Sequence, residues 1–375
     1  MKKTLLLAAA LLCAAVFPAP AQELQNFQNR ARVVSPEIAE GHVTFRLAAD
    51  YATVVQLSTN WLDSPASMKK TNGVWEVTLD LPSPEIYTYN FIVDGVAVND
   101  PQNYRVQRDG TRYLNMLFVP GDRTAPYNEA AHRGTVSYRW YDSQILDINR
   151  RLTVYTPYGY ESSPRRKYPV LYLLHGAGGD EEAWTSMGRA AQILDNLIEQ
   201  GLAEPMIVVM PNGNPNQRAA QTLGLPTSDF NARAEGNANA YVRSLCEEIV
   251  PFIEREYRAI ARPASRAVAG LSMGGGHTIT ASQLYPSLFD YICPLSMGAQ
   301  PTPESIAQLQ ALKRDGYRLY WLACGTSDFL FENAKTLDRT LSEQALPHTF
   351  FTSEGGHTWA NWRLYLQTFA PLLFK

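Results

Sequence analysis

The chain has 375 residues, a length that favours two domains over one. Hydrophobic residues make up 45% of the sequence and charged residues 18%, a balance typical of a soluble globular protein with a large core. The formal net charge of −3 gives no excess of basic residues for binding nucleic acid. After the N-terminal segment, no stretch reaches the roughly 18 consecutive apolar residues of a membrane span.

Residues 1–21 have the pattern of an export signal. Lys2 and Lys3 precede an apolar run over residues 5–17, and Ala-Pro-Ala follows at 19–21. A basic start, an apolar centre and an Ala-x-Ala site are typical of a cleaved signal peptide. We therefore expect a periplasmic or secreted protein whose mature chain begins near residue 22.

Residues 24–120 are predicted to form a small all-β domain. Short runs rich in β-branched residues alternate with turn signals, and Asp94 and Gly95 after residues 87–93 give a strong hairpin signal. Closely spaced strands without a helical period favour an immunoglobulin-like sandwich. The polar stretch 121–131 is predicted to be a linker.

Residues 132–375 alternate between apolar strands and helical stretches. Strands buried on both faces and alternating with helices predict an α/β domain with a doubly wound, mostly parallel sheet. The predicted strands cover residues 170–174, 207–210, 267–269, 291–295 and 319–323, and clear helical stretches cover 190–199 and 241–257.

Residues 270–274 read Gly-Leu-Ser-Met-Gly between a predicted strand and a predicted helix. This G-x-S-x-G pattern is typical of the nucleophile elbow of α/β-hydrolases. The glycines on either side of Ser272 let the backbone close a tight turn. The N–H of Met273, at the N-terminus of the helix, then points to where an oxyanion would form. Because the motif also occurs by chance, its interpretation depends on the rest of the chain.

A serine nucleophile needs a base and a carboxylate that orients the base. In this fold both follow the serine in the chain, on loops after later strands. Of the six histidines, His357 is the one on a loop after the last predicted strand and before a terminal helix. Asp328 closely follows the predicted strand 319–323 and is the predicted acid, with a role as a turn residue as the alternative.

Residues 173–179 read Leu-Leu-His-Gly-Ala-Gly-Gly after an early predicted strand. A His-Gly turn at this place supplies the second oxyanion donor in this fold, so Gly176 or Ala177 is predicted to act beside Met273. His175 is then predicted to be structural.

Three further residues are candidates for substrate binding. Trp184 and Trp359 are expected to wall the acyl pocket, with packing under the loops as the alternative. Asn214 belongs to the irregular segment 212–239, whose length favours a binding loop. We find no metal-ligand cluster and no nucleotide loop, so no cofactor is expected. The odd number of cysteines after the leader predicts buried free thiols at Cys246, Cys293 and Cys324.

Taken together, the chain resembles the esterase D-like family, in particular the carbohydrate esterase family 1 type of feruloyl and acetyl xylan esterases. The resemblance rests on the elbow and on residues 168–176, 205–213 and 355–359, the last reading Gly-Gly-His-Thr-Trp. The N-terminal stretch, with Ser-Pro-Glu at 35–37, resembles the E-set, glycogen-binding-like domain that often precedes such esterases.

The resemblance implies that Ser272 is the nucleophile, Asp328 the acid and His357 the base. It also implies a substrate that carries feruloyl or acetyl esters on plant polysaccharide such as arabinoxylan. An acyltransferase or a small-molecule ester hydrolase on the same fold is the alternative, and a non-catalytic polysaccharide-binding protein is another. The oligomeric state stays open. Residues 24–120 are expected to supply no catalytic group, so that a fragment of residues 125–375 would keep most small-ester activity.

Overall fold

The computed structural model describes residues 33–225 and 239–375. The predicted signal peptide lies outside the described residues, as does the part 226–238 of the segment 212–239. The strands are β1 (Glu37–Ala39), β2 (His42–Ala48), β3 (Val55–Thr59), β4 (Ala66–Ser67), β5 (Lys69–Thr71), β6 (Val74–Asp80), β7 (Ile86–Val93), β8 (Val96–Val98), β9 (Val106–Asp109), β10 (Arg112–Phe118), β11 (Thr135–Ser143), β12 (Ile148–Thr156), β13 (Val170–Leu174), β14 (Ile207–Pro211), β15 (Arg266–Leu271), β16 (Tyr291–Leu295), β17 (Leu319–Gly325) and β18 (Thr349–Ser353).

All α-helices of the described residues follow residue 182. They are α1 (Ala183–Ser186), α2 (Ala190–Glu199), α3 (Ala240–Ser244), α4 (Val250–Glu256), α5 (Met273–Leu284), α6 (Pro303–Asp315), α7 (Phe331–Glu343) and α8 (Trp359–Phe369). A π-helical turn at Leu245–Ile249 joins α3 to α4, so the predicted helix 241–257 is present as three consecutive segments. No helix of the described residues is long and apolar enough to cross a membrane.

The N-terminal strands form two antiparallel sheets that pack face to face. One has the order β1-β2-β6-β5, and the other has the order β4-β3-β7-β10-β9 with β8 beside β7. Burial alternates along β2, so that Val43, Phe45 and Leu47 point inward. They join one core with Leu57 and Phe91 of the facing sheet. This is the predicted two-layer β architecture, hereafter the sandwich; its E-set class stays a prediction.

The stretch predicted to be a linker is a packed connection. Asp122–Tyr127 forms a 3-10 helix in which Thr124 and Tyr127 are fully buried. Arg189 of the second domain donates hydrogen bonds to the Tyr127 carbonyl from Nε at 3.1 Å and from Nη2 at 2.6 Å. The chain therefore passes between its two domains without a free segment in this stretch.

The second domain is built on an eight-stranded sheet of order β11-β12-β14-β13-β15-β16-β17-β18. β11 and β12, which the sequence reading did not identify, pair antiparallel with their neighbours, and every pair from β14 to β18 is parallel. Along β13, Val170, Tyr172 and Leu174 face one helical layer, while Leu171 and Leu173 face the other. The doubly wound α/β prediction is confirmed, and the loops after the parallel strands meet at one edge.

The cysteines of the described residues are buried and unpaired: Cys246, Cys293 and Cys324 form no disulfide. Burial raises the pKa of the Cys324 thiol to about 12. The prediction of buried free thiols is therefore confirmed.

Candidate active site

Ser272 lies on the turn between β15 and α5 with φ 52° and ψ −119°. This φ favours glycine, so the surroundings must hold a serine there. A Cβ added to Gly270 would lie 2.4 Å from the Gly274 carbonyl oxygen, and one added to Gly274 would lie 2.6 Å from the His175 carbonyl oxygen. Both flanking glycines are therefore required by close backbone contacts, as the motif predicted.

His357 and Asp328 form a hydrogen-bonded pair on neighbouring loops. Nδ1 of His357 lies 2.9 Å from Oδ2 and 3.0 Å from Oδ1 of a fully buried carboxylate. The N–H of Leu330 donates a further bond to Oδ1 at 2.9 Å, which fixes the acid. Because a carboxylate only accepts, Nδ1 carries the proton and Nε2 is left as an acceptor.

Aromatic and amide groups orient the imidazole. The His357 ring lies 4.6 Å from the ring of Phe329 and 5.0 Å from that of Trp362, which stands perpendicular to it. Trp362 is held by a bond from Nε1 to the Ser296 hydroxyl at 2.9 Å. Asn361 donates from Nδ2 to the Gly356 carbonyl at 2.9 Å, which anchors the loop that carries the histidine.

The loop after β13 runs beside the serine and is held by His175. A Cβ on Gly176 would lie 3.2 Å from the Cβ of Ser272. Nδ1 of His175 donates to the Gly176 carbonyl at 2.7 Å, while Nε2 accepts from the Gly213 N–H at 2.7 Å. Burial lowers the pKa of His175, which agrees with a neutral ring that donates on one side and accepts on the other.

Four of the predicted catalytic and oxyanion residues, Ser272, His357, Gly176 and Ala177, line one cavity of about 270 Å³, while Asp328 is buried beside His357 and does not line it. Met273 begins α5, so its N–H is one of the first-turn donors without a partner inside the helix. The cavity is lined by Asp109, Gly176, Ala177, Gly179, Ala183, Met187, Leu271, Ser272, His357, Thr358, Trp359 and Trp362.

Of the three predicted substrate-binding residues, Trp359 lines the cavity and the other two stand outside it. Trp184 is 1% exposed, donates from Nε1 to the Leu174 carbonyl and packs perpendicular behind Trp359 at 5.3 Å. Asn214 donates from Nδ2 to the Gly179 carbonyl at 2.8 Å, which ties two loops together. The prediction that Trp184 walls the pocket is therefore wrong, because its ring is used to support Trp359.

The sequence reading missed that the sandwich reaches into this site. Asp109, at the end of β9, lines the cavity that holds Ser272. Its neighbour Arg108 is buried and binds Asp180 of the second domain through two bonds of 2.6 and 2.7 Å. The Asp109-Gly110 turn signal was visible in the sequence, but nothing local indicates which surface the turn approaches.

A second contact joins the sandwich to the helix that carries Trp359. Glu85, which precedes β7, accepts bonds from Arg363 Nε and Nη2 at 3.2 and 3.0 Å and from Arg123 Nε at 3.0 Å. Arg363 is 2% exposed and also donates to the Met187 carbonyl at 2.6 Å. The expectation that a fragment of residues 125–375 keeps most small-ester activity stays a prediction, although removing the sandwich would leave Arg363 without the Glu85 carboxylate.

The chain is similar to proteins named as esterases. The Esterase family model, described as "Putative esterase", matches residues 143–372. A curated relative, the Endo-1,4-beta-xylanase/feruloyl esterase of Xylanibacter ruminicola, is 30% identical over 351 residues. That match covers 90% of this chain and 45% of the relative, so the chain spans less than half of the relative's length.

Solved structures give the same indication at the level of the fold. A ferulic acid esterase is 26% identical with a TM-score of 0.53, over 64% of this chain and 97% of the other. The enterobactin esterase from Shigella flexneri is 19% identical with a TM-score of 0.64, over 88% of this chain and 92% of the other, so it shares the fold of both domains. With a family model that matches well over half of its length, the chain belongs to the Esterase family.

Proposed function

We propose that the protein is a secreted serine esterase that hydrolyses acyl esters through Ser272, His357 and Asp328. The observation that carries this proposal is the pairing of His357 with a buried carboxylate, at a cavity shared with a serine on a strained, glycine-flanked turn. A histidine base oriented by a carboxylate activates a serine hydroxyl, which is otherwise a weak nucleophile. Export is supported by the leader pattern of residues 1–21.

In the proposed mechanism the Ser272 hydroxyl attacks the ester carbonyl while Nε2 of His357 takes its proton. Asp328 keeps the proton on Nδ1 and stabilises the imidazolium that forms. The tetrahedral intermediate collapses when His357 gives its proton to the leaving alcohol, which leaves an acyl group on Ser272. Water then attacks this acyl-enzyme by the same proton route and releases the acid.

The negative oxygen of the tetrahedral intermediate needs donors that are already in place. We assign Met273 N–H to one of them and the N–H of Gly176 or Ala177 to the other. The support is that the loop of Gly176 runs beside Ser272 while Met273 opens α5. Loss of one such donor typically costs about 3 kcal/mol of transition-state stabilisation.

We propose feruloyl or acetyl esters on plant polysaccharide such as arabinoxylan as the substrate class. The named feruloyl and ferulic acid esterases among the similar proteins support this class. The cavity supports it as well, because Ala183, Met187, Leu271 and Trp359 give the space beside Ser272 an apolar wall suited to an acyl group.

The test uses the full mature chain with p-nitrophenyl acetate, in the presence of a chelator, and with feruloylated and acetylated arabinoxylan oligosaccharides. Ser272→Ala should lower kcat by about 10⁴-fold or more. Ser282→Ala, a buried serine further along the same helix, is the matched control and should keep its activity. Full activity of Ser272→Ala would refute the nucleophile, and release of neither ferulate nor acetate by wild type would refute the substrate class.

A further inference from the structure

The catalytic cavity adjoins a second space between the sandwich and the second domain. This cleft has a volume of about 590 Å³. Asp109, Met187, Thr358 and Trp359 line both the cavity and the cleft. A molecule bound at Ser272 can therefore continue into the cleft along a protein surface, and about 300–1,000 Å³ is the usual size of clefts that hold small molecules.

One hairpin of the sandwich forms a polar wall of the cleft. Asp109 of β9 pairs with Arg112 of β10, and Gln107 pairs with Leu114. Because side chains alternate along a strand, these four residues share the face that lines the cleft, while Arg108 between them reaches the second domain. Further polar residues from the rest of the sandwich complete this side: Ser58, Thr59, Asn60, Thr88 and Asn90.

The hairpin is held firmly against the second domain. The Arg108 guanidinium binds Asp180 through two bonds and also donates to the Gly110 carbonyl at 2.8 Å. The Ser186 hydroxyl accepts from the Arg108 N–H at 2.8 Å and donates to the Arg108 carbonyl at 3.1 Å. Asp109 is therefore carried on a fixed backbone, and a preordered site loses little entropy when it binds a ligand.

The charged groups of the wall are solvent-exposed and form a long, weak pair with each other. Arg112 Nη2 lies 3.5 Å from Asp109 Oδ2, and the two side chains are 73% and 43% exposed. A carboxylate only accepts hydrogen bonds and a guanidinium only donates them, so the pair can satisfy a hydroxyl group in both of its roles. Trp359 adds an aromatic surface at the junction of the two spaces.

This chemistry fits a sugar better than an acyl group. A sugar presents hydroxyl groups around its edge and C–H groups on its faces, which match a wall of carboxylate, guanidinium and amide groups beside an indole. An acetyl or feruloyl chain matches the apolar side of the cavity next to Ser272 instead. An ester that spans both spaces therefore has its acyl part in the cavity and its alcohol part in the cleft.

We infer that the cleft is the subsite for the sugar that carries the ester, and that Asp109 and Arg112 of the sandwich determine specificity for this leaving group. This inference rests on the proposed function, because it concerns the alcohol half of the same substrate. It assigns to the first domain a direct contact with substrate at the catalytic centre, distinct from binding polysaccharide at a remote surface.

The experiment compares kcat/KM for two esters of one acid, a feruloylated arabinoxylan oligosaccharide and methyl ferulate. In Asp109→Ala and Arg112→Ala, the ratio of the first kcat/KM to the second should fall about tenfold or more, because the sugar of the saccharide ester contacts both side chains, whereas methyl ferulate meets Asp109 only where this residue also lines the cavity. Asp80→Ala and Lys69→Ala remove exposed charges of the other sheet of the sandwich and should leave the ratio unchanged. Unacylated oligosaccharide should inhibit methyl ferulate hydrolysis by wild type, and inhibition should weaken about tenfold in Asp109→Ala.

These measurements separate failure of the inference from failure of the proposed function. If wild type hydrolyses the feruloylated saccharide but the ratio in both cleft variants stays at the wild-type value, the subsite is wrong and the function stands. A parallel loss on both esters would also overturn the subsite, because it would place the two side chains on the acyl half. If wild type cleaves only methyl ferulate, the polysaccharide substrate is refuted. The subsite would still be supported if free saccharide inhibits wild type and no longer inhibits Asp109→Ala.

Discussion

The two regions of this molecule contribute to one site in different ways. The central parallel strands β13, β15 and β16 of the second domain are buried on both faces, and Ser272, Asp328 and His357 all stand on loops at one edge of that sheet. The strands of the sandwich are buried on one face, and the sandwich brings Asp109 to the same cavity on a hairpin. The groups proposed to react thus lie on the second domain, which is the more deeply buried of the two regions. The sandwich, whose strands are buried on one face, shapes the approach to these groups.

The contact between the regions combines buried charges with a shared core. Glu85 meets Arg363 and Arg123, and Arg108 meets Asp180, all within or at the edge of the interface. Ile86 and Met116 of the sandwich also belong to the core of the second domain's helical layer. Breaking one partner of a buried ion pair costs far more than the pair contributes, so these contacts fix the relative orientation of the domains.

After loss of the Ser272 hydroxyl, the largest expected effect concerns Asp328. Asp328→Asn keeps an oxygen for the Leu330 N–H but offers His357 an amide in place of a carboxylate, so the imidazole loses its fixed tautomer and kcat should fall about 10³- to 10⁴-fold. The matched control is Asp338→Asn, the carboxylate of a second Asp–His pair on the same domain, bonded to His348 at 2.9 Å. Steady-state kinetics on p-nitrophenyl acetate decide; comparable losses in the two variants would refute the assignment of Asp328.

The next prediction tests whether the two regions are one cooperative unit. Glu85→Ala leaves Arg363 with a buried charge and no carboxylate, so the free energy of unfolding should fall by about 3–5 kcal/mol. Glu256→Ala breaks a partly exposed pair with Arg139 and should cost about 1 kcal/mol or less. Urea unfolding followed by fluorescence measures both. Two separate transitions in wild type would contradict the single unit, since they would mean that the sandwich unfolds independently.

Much of this architecture could be read from the sequence because its signals are local. The predicted strand 170–174 and helix 190–199 have the observed bounds, since each is a continuous apolar run or a clear helical period. The hairpin at Asp94 and Gly95 is also confirmed, because β7 and β8 pair across it. The two turn residues have φ of 48° and 87°, which explains why the turn has residues that tolerate positive φ. The pairing of His357 with Asp328 was also predictable, because both residues follow later strands of the parallel sheet.

What the sequence did not reveal depends on contacts between distant segments. No periodicity in the sequence indicates that Arg108 pairs with Asp180. Without knowledge of that ion pair, Asp109 is indistinguishable from an ordinary turn residue. Trp184 is an aromatic residue that follows the oxyanion loop closely in the sequence, where a pocket residue is expected. Only the tertiary packing shows that its ring lies behind Trp359. Residues 121–131 likewise have the polar composition of a linker, and the sequence does not indicate that Tyr127 is fully buried and packs this connection against the second domain.

A smaller effect is expected at the loop beside the nucleophile. His175→Phe preserves the shape of the ring but removes the bonds to the Gly176 carbonyl and the Gly213 N–H. The oxyanion donor should become less well placed, which lowers kcat about tenfold with little change in KM, because the oxyanion exists only in the transition state. His132→Phe, an exposed histidine paired with Glu199, is the control. A rise in KM with unchanged kcat would show that His175 shapes substrate binding instead.

The last effect locates acid sensitivity in the second domain. His277 lies on α5 with its ring 4.6 Å from that of Tyr241, and burial lowers its pKa from 6.5 to about 4. Between these pH values the unfolded chain binds a proton at His277 that the folded chain does not, so stability falls as pH drops from 6.5 and levels off near pH 4. Each pKa unit corresponds to about 1.4 kcal/mol; because the ring keeps some solvent contact, we expect about 2 kcal/mol in total.

Urea titrations of wild type and His277→Phe between these pH limits should give a difference in unfolding free energy that changes with pH. Thr280→Val, on the same helix, removes no titratable group and should shift the unfolding free energy equally at every pH. Parallel curves for wild type and His277→Phe would mean that His277 does not resist protonation in the folded protein, and the acid sensitivity would have to lie elsewhere.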